Sequence, residues 1–363
     1  MSGPAAGTAV AATTTDVVCL GESMVTFLPS QPGRLADVPS FGRGIGGAES
    51  NVACALAAAG HRAAWVGRVG ADGFGDHLVE TIASYGVVTS AVRRDPVRPT
   101  GIYFRTATDR GTDTHEVAYY RAGSAASAMS PANMPYEELF AGRVLHLSGI
   151  TAALSGDCLA LLRELTAPRA GRPLVSFDVN HRPHLWRGGD ADASVLLELA
   201  RRSDLVFVGE DEAEEAWGIV GAEAIRAAVP EPAVLVVKRG SAGATVFASG
   251  PRPGPRSSNA GGAETVTHVP ALRVDVVAAV GAGDAFAAGF LSATLRGLSV
   301  RDRARHGHLM AAAVLTVPGD LTEPPARDHA DRLVALDDDA WGRLRLGPGW
   351  TAADRASEEV RTP

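Results

Sequence analysis

The sequence predicts an α/β fold in which helices cover both faces of a mainly parallel β-sheet. Four short apolar runs, at residues 144–147, 174–177, 205–208 and 233–237, are separated by stretches with helical periodicity. Such runs are typical of strands buried on both faces, and strands that alternate with helices pair in parallel. The length of 363 residues and the hydrophobic content of 46% allow a core large enough for this fold.

The first half of the chain supplies the remaining elements. Residues 1–15 are uncharged and rich in alanine and threonine, so we expect a flexible N-terminal tail. The apolar and periodic runs then predict, in order, a strand at 17–21, its continuation or a second strand at 25–28, a helix at 48–59, a strand at 63–69, a helix at 74–85 and a β-hairpin or small sheet at 100–120.

We predict that one domain, residues 16–340, contains all of these elements. The segment 250–262 is rich in proline, glycine and serine and predicts a surface insertion between two strands. Residues 341–363 become polar from about Gly347 and predict a C-terminal tail.

The composition excludes several classes of protein. The formal charge of -7 and the pI of about 5.8 argue against nucleic acid as a partner, because a phosphate backbone is bound by a basic face. A Walker A loop requires Gly-Lys-Ser/Thr, but Lys238 is the only lysine and Arg239 follows it. Cys19, Cys54 and Cys158 form no CxxC pair, which is typical of reduced thiols.

Targeting features also bear on location. Residues 1–15 lack the basic and apolar regions of a signal peptide, and no apolar run approaches about 18 residues. We therefore expect a cytoplasmic protein with no membrane partner. We also expect a homo-oligomer.

A first glycine motif, GRGIGG at 42–47, satisfies the G-x-G-x-x-G pattern of dinucleotide-binding loops. Such a loop follows a strand, whereas residues 36–41 are turn-like and contain Pro39. A flexible turn is therefore favoured over an NAD site, and an oxidoreductase function would rest on this pattern alone.

A second glycine motif, Gly281-Ala282-Gly283-Asp284, leads directly into an apolar helical run. Free N–H groups at such a helix start form a cradle for phosphoryl oxygens, and the glycines leave the approach open. Aspartate is also an ordinary residue of a first helical turn. An N-cap needs only one polar residue, however, so the two glycines favour an anion site with a carboxylate beside it.

Polar segments also follow two of the strands, where open α/β sheets bind ligands. These are DVNHR at 178–182 and EDEAE at 210–214. The acidic segment either offers carboxylates to magnesium or is a solvated helix start. The segment YYR at 119–121 either contacts a small acidic ligand or forms an edge-strand aromatic pair.

Four segments carry a family resemblance: GGAESN at 46–51, DVNHR with LW at 185–186, VKRG at 237–240 with Gly243, and GAGDAF at 281–286. In this arrangement, from about residue 17 to 336, the chain resembles the ribokinase-like (PfkB) carbohydrate kinases. The first segment, YYRAGSA at 119–125 and HLSGI at 146–150 are most similar to the subgroup that acts on 2-keto-3-deoxygluconate.

The resemblance implies a Rossmann-type α/β/α core with a small β-sheet lid formed by about 24–43 and 101–121. It implies ATP and Mg²⁺ as cofactors and phosphorylation of the primary hydroxyl of an acidic keto sugar, 2-keto-3-deoxygluconate, to its 6-phosphate. Two arginines near a small sugar favour such a carboxylate substrate, because a guanidinium pairs with both carboxylate oxygens.

The resemblance also assigns roles position by position. Asp284 is the catalytic base, Glu212 a metal ligand, and Gly281, Ala282 and Gly283 the anion hole. The sugar-binding residues are Gly47, Asn51, Tyr103, Tyr119, Arg121, Ile150 and Arg182. The ATP-binding residues are Lys238, Gly240, Gly243, Gly281, Gly283 and His308.

The chain departs from the family pattern at three positions. Gly209 replaces the asparagine of the N-x-x-E motif, Ala278 replaces an aspartate, and His308 stands where an adenine-side asparagine is common. We therefore expect little dependence on a monovalent cation. The alternatives are a fructokinase- or ribokinase-like kinase of a neutral sugar or nucleoside, and a non-catalytic sugar- or nucleotide-binding relative.

Overall fold

The computed structural model describes residues 15–31, 33–106, 116–186, 192–249 and 264–352. The expected N-terminal tail, apart from residue 15, and the whole of the expected 250–262 insertion lie outside the described residues.

The strands of the described residues are, in chain order, β1 (Thr15–Leu20), β2 (Met24–Pro29), β3 (Phe41–Gly46), β4 (Ala63–Val66), β5 (Arg68–Gly70), β6 (Arg93–Asp95), β7 (Ile102–Arg105), β8 (Val117–Tyr120), β9 (Gly142–Ser148), β10 (Leu174–Asp178), β11 (Leu205–Gly209), β12 (Val234–Lys238), β13 (Ala244–Ala248), β14 (Thr265–Val269), β15 (Arg273–Val274) and β16 (Arg345–Leu346). The helices are α1 (Ala48–Ala58), α2 (Gly73–Ser84), α3 (Tyr136–Leu139), α4 (Gly149–Ala152), α5 (Gly156–Thr166), α6 (Pro183–Trp186), α7 (Ser194–Arg202), α8 (Glu210–Trp217), α9 (Ala222–Ala228), α10 (Ala282–Leu295), α11 (Val300–Leu315), α12 (Arg327–Val334) and α13 (Asp338–Arg343).

The main sheet has eight strands in the order β14-β13-β12-β11-β10-β9-β1-β4. The six strands from β12 to β4 pair in parallel, and β13 and β14 add an antiparallel edge. Side chains alternate between two apolar cores: Val17 and Cys19 face one, Val18 and Leu20 the other. Both faces are therefore covered, and the predicted α/β fold is confirmed.

The smaller sheet has four strands in the order β3-β2-β7-β8. The glycine motif at 42–47 forms most of β3, which pairs antiparallel with β2, and Gly47 then precedes α1. The prediction of a flexible turn at 42–47 is therefore wrong, because the glycines of this segment pair as a strand with β2. The motif does not follow a strand of the main sheet, so it lacks the setting of an NAD loop.

The predicted strand at 63–69 is divided between two sheets. β4 ends at Val66 in the main sheet, and β5 pairs with β6 in a separate two-stranded sheet. Gly67 lies between them, and a side chain there would collide with the Trp65 ring at 2.7 Å.

The structure corrects the expected C-terminal tail at its start. Trp341 and Trp350 are buried, and the Trp341 indole N–H donates to the Pro270 carbonyl oxygen at 3.0 Å. The β16 strand, with Leu346, pairs with β15. Burial of the large indole surfaces stabilises this segment against the core, and Leu344 and Leu346 between them are buried as well.

The structure also describes the cysteines and the lengths of the helices. Cys19, Cys54 and Cys158 are buried free thiols. Within the described ranges, no helix has the length and apolar character needed to cross a membrane.

Candidate active site

A cleft of about 360 Å³ lies between the small sheet and the carboxyl ends of the main-sheet strands. Thirteen of the predicted site residues line it: Gly47, Asn51, Tyr103, Tyr119, Arg121, Ile150, Arg182, Glu212, Lys238, Gly281, Ala282, Gly283 and Asp284. The fold thus brings together segments that are up to 237 positions apart in the chain, from Gly47 to Asp284.

The start of α10 forms one wall of this cleft. Gly281 precedes the helix with a φ of +80°, a left-handed conformation that favours glycine. A Cβ at this position would also lie 2.7 Å from the Asp320 carbonyl oxygen. Gly281 therefore turns the chain so that the first N–H groups of a 14-residue helix meet the cleft, which suits an anion.

Asp284 lies in the first turn of α10 and faces the same cleft. The Asn51 side-chain amide donates to Asp284 Oδ2 at 2.9 Å and links α1 to α10. Desolvation raises the pKa of Asp284 to about 7; the Asn51 hydrogen bond opposes that rise, while the carboxylate of Asp178 adds to it. Such a carboxylate can both hold and release a proton near neutral pH, as a general base must.

Lys238 and Asp178 form an ion pair beside Asp284. The Lys238 ammonium donates to both oxygens of Asp178, at 3.1 and 3.0 Å. Glu212 lies near this pair, and its Oε2 accepts the Gly209 backbone N–H at 2.7 Å. One oxygen of the predicted metal ligand is thus already used to cap α8.

The two arginines predicted to bind a substrate carboxylate both line the cleft, in different surroundings. Arg121 Nε donates to Glu22 Oε2 at 2.7 Å, and its Nη2 also pairs with this nearly buried carboxylate. Arg182 is 45% exposed, and its Nη1 is 3.6 Å from Glu212 Oε1. Arg182 is therefore the more available of the two for an incoming anion.

Three residues predicted to bind ATP are not among those that line this cleft. Gly240 and Gly243 flank the short turn between β12 and β13, both with positive φ. His308 is buried within α11, where it packs edge-on against Phe286 and lies 3.2 Å from the Val269 carbonyl oxygen. Burial lowers its pKa to about 4, so the ring is neutral at physiological pH.

Four charged cleft residues received no individual role from the sequence, although Asp178 belongs to the polar segment 178–182 that was expected near a ligand. Glu22, Arg105, Asp178 and Asp320 all line the cleft. Glu22 and Asp178 occur at or just after the carboxyl end of a buried strand, which is a usable signal. Arg105 and Asp320 pair across 215 positions at 2.6 Å, and no local pattern predicts such a contact.

A carboxylate beside a glycine-rich helix start places a candidate base next to an anion cradle, which suits an enzyme that transfers a phosphoryl group to a small alcohol. Comparison with known proteins gives the family. The model of the pfkB family of carbohydrate kinases matches residues 14–327, so the chain belongs to this family.

Individual relatives agree with this assignment. The chain is 33% identical to 2-dehydro-3-deoxygluconokinase of Bacillus subtilis (strain 168) over 318 residues, 86% of this chain and 93% of the relative. It is 31% identical to fructokinase-1 of Oryza sativa subsp. japonica over 279 residues, 76% of this chain and 81% of the relative. A PfkB protein from Polaromonas sp. JS666 has 32% identity, with a TM-score of 0.74 over 87% of this chain and 99% of that one. The protein is a carbohydrate kinase.

Proposed function

We propose that this kinase transfers the γ-phosphoryl group of ATP to the primary hydroxyl of 2-keto-3-deoxygluconate, giving the 6-phosphate. The observation that carries the proposal is the position of Asp284. Its carboxylate faces the cleft at the start of α10, next to the Gly281–Gly283 cradle, and Arg182 and Arg121 line the same cleft. The name of the B. subtilis relative supports the sugar acid as substrate.

Asp284 would act as the base. It accepts the proton of the primary hydroxyl while that oxygen forms its bond to the γ-phosphorus and the bond from phosphorus to the β,γ-bridging oxygen breaks. The N–H groups of the cradle would stabilise charge on the transferring oxygens, since they point at the cleft before the reaction begins. Asn51 holds the Asp284 carboxylate in place through the 2.9 Å hydrogen bond.

The half-exposed guanidinium of Arg182 supports an acidic substrate. Arg182 is half exposed and would bind a carboxylate directly, whereas Arg121 is already neutralised by Glu22. Tyr119 lies near both arginines. Its ring contacts the Arg121 guanidinium and stacks on His184, which is two positions after Arg182. We therefore assign the substrate carboxylate chiefly to Arg182, with Arg121 and Tyr119 shaping the wall beside it.

The residues fit a magnesium ion that enters with the nucleotide. Among the described residues, no group of three or more His, Cys, Asp or Glu side chains is arranged to hold a metal ion by itself. Magnesium commonly keeps water and phosphate oxygens as ligands and takes only one or two carboxylates from the protein. Glu212 would supply such a ligand through Oε1, which the Gly209 cap does not use and which lies 3.6 Å from Arg182 Nη1. The ion would offset negative charge on the phosphates.

A kinase of a neutral sugar is the second candidate. It is favoured by the Glu22–Arg121 pair, which leaves less free positive charge than two arginines suggest, and by the identity to rice fructokinase-1. A non-catalytic binding protein is disfavoured, because Asp284 lines the cleft beside the cradle and desolvation raises its pKa to about 7, as suits a general base.

The test is ATP consumption with purified protein across acidic and neutral sugars, each with and without magnesium. Our proposal requires that 2-keto-3-deoxygluconate give the highest kcat/KM, with magnesium present. A higher kcat/KM for fructose or ribose would favour the neutral-sugar kinase. No phosphorylation of any sugar would favour the non-catalytic relative.

A further inference from the structure

The only lysine of the chain lies in the candidate active site. Of the 34 lysines and arginines in the sequence, Lys238 alone is lysine. The other basic positions use arginine, which suits surface ion pairs equally well. A position that keeps lysine against this bias indicates a need for the compact ammonium and not simply for positive charge.

Lys238 reaches across a strand to meet its partner. It ends β12, whereas Asp178 ends β10, and β11 lies between them in the sheet. Lys238 pairs in register with Gly209 of β11, so a residue without a side chain stands where the lysine crosses. This also gives Gly209, which departs from the family pattern, a role in this chain.

Asp178 is buried, Lys238 is partly buried, and both line the cleft beside the Gly281–Gly283 cradle. The side chains of Lys238 and Asp178 are 19% and 3% exposed. The Lys238 ammonium lies 3.6 Å from the point where a Cβ of Gly283 would be. Burial would lower the pKa of Lys238, but the carboxylates of Asp178, Glu212 and Asp284 outweigh that effect and raise it.

A purely structural role explains this pair poorly. Taking two charges out of water costs about as much as their attraction returns, so a buried pair is weak evidence for stability. An ammonium has three N–H donors, and Asp178 offers two oxygens to them. Among the described residues, the ammonium has no hydrogen-bond partner other than Asp178, so its third donor can serve an anion in the cleft.

We propose that Asp178 is a positioning residue for phosphoryl transfer, which holds the Lys238 ammonium beside the Gly281–Gly283 cradle so that it meets the phosphates of the nucleotide. The inference rests on the proposed function and adds a requirement to it. Lysine is needed at position 238 because a point charge fits between Asp178 and the helix start, whereas the longer planar guanidinium would displace the contact with Asp178 or block the cradle.

A single lysine makes the test direct. In protein labelled with ¹³C and ¹⁵N only in lysine, the Cε–Nζ group gives a single NMR signal, which reports on Lys238 alone. The probe is the magnesium complex of a non-hydrolysable ATP analogue, added to wild type and Asp178→Asn. Lys238→Arg contains no lysine and is therefore compared by its activity alone. Asp204→Asn is the matched control, because Asp204 pairs with Arg172 at 2.6 Å next to the amino end of β11 and does not line the cleft.

The expected results separate positioning from stability. Nucleotide should shift the Lys238 signal in wild type and Asp204→Asn, and this shift should be at least halved in Asp178→Asn. Lys238→Arg should fold with a wild-type circular dichroism spectrum, yet its kcat should fall about 10- to 100-fold with a sugar KM within about twofold. Asp178→Asn should lower kcat about tenfold or more.

Two results would overturn the inference. One is a Lys238 signal that does not respond to nucleotide in wild-type protein. The other is wild-type kcat in both Lys238→Arg and Asp178→Asn. If Asp178→Asn fails to fold, the kcat of Lys238→Arg and the response of the wild-type Lys238 signal to nucleotide still test the inference. If no sugar is phosphorylated, the proposed function fails, but the NMR response still shows whether the ammonium meets the phosphates.

Discussion

Asp284 should reduce the stability of the folded protein at neutral and alkaline pH, and Asp284→Asn measures by how much. The pKa of Asp284 is about 7 in the folded protein, against an ordinary value of 3.8. The folded state therefore binds the proton more tightly than the unfolded chain. The penalty is near zero below pH 4, grows as pH rises towards 7 and is constant above it.

The magnitude follows from the pKa difference. Each unit corresponds to about 1.4 kcal/mol, so a rise to about 7 gives an upper value of about 4 kcal/mol. Water in the open cleft reduces this, and we expect about 2 to 4 kcal/mol. Asparagine at position 284 is uncharged, nearly isosteric and still able to accept the hydrogen bond from Asn51.

The assay is urea denaturation of wild type and Asp284→Asn at pH 5, 6.5 and 8. The variant should be the more stable protein, by an amount that increases from pH 5 to 6.5 and changes little by pH 8. Asp328→Asn, in the exposed first turn of α12, is the control and should show no such trend. A stability difference that does not change with pH, or a variant less stable at pH 8, refutes the reasoning.

Four other changes follow from the structure. Arg182→Ala should raise the KM for the acidic sugar at least about tenfold more than for its neutral analogue, and equal increases would contradict carboxylate binding. Arg105→Met should remove the buried partner of Asp320 and lower the free energy of unfolding by about 3 to 5 kcal/mol in urea, whereas a loss under about 1 kcal/mol would show that the pair is dispensable. Ala278→Asp should introduce potassium activation, measured as initial rate against potassium at fixed magnesium, because it adds a carboxylate oxygen; strong activation of the wild type would contradict this. Trp350→Ala should cost about 3 to 5 kcal/mol because the indole is buried, and an unchanged midpoint would place this residue outside the core.

The main sheet could be predicted from the sequence because its strands are apolar on both faces. Neighbouring residues such as Val206 and Phe207 face opposite cores. A continuous apolar run therefore predicts a strand that is buried on both faces, without any knowledge of which distant segments cover it. The small sheet was harder to predict. Its β3 strand is half glycine and lacks the β-branched residues that mark strands, so only pairing with β2 reveals it.

The cleft could be predicted only in part, because some of its features depend on local sequence and others on contacts between distant segments. Asp284 and the cradle are determined locally, by glycines and an acid at one helix start. The pairing of Arg121 with Glu22 and of Arg105 with Asp320 depends on how distant segments pack, so the sequence alone overestimated the free positive charge. The C-terminal segment was misjudged because two buried tryptophans were outweighed by polar neighbours.

The most direct measurement is the rate of phosphate transfer from ATP to 2-keto-3-deoxygluconate by wild type and Asp284→Asn, with the product followed by ³¹P NMR. We expect wild type to form the 6-phosphate with a rate that increases as pH rises through about 7, since the base must be deprotonated. Asp284→Asn should bind the sugar normally and lose about 10²- to 10⁴-fold in kcat. A variant with wild-type turnover, or a wild type that phosphorylates only neutral sugars, would contradict the account.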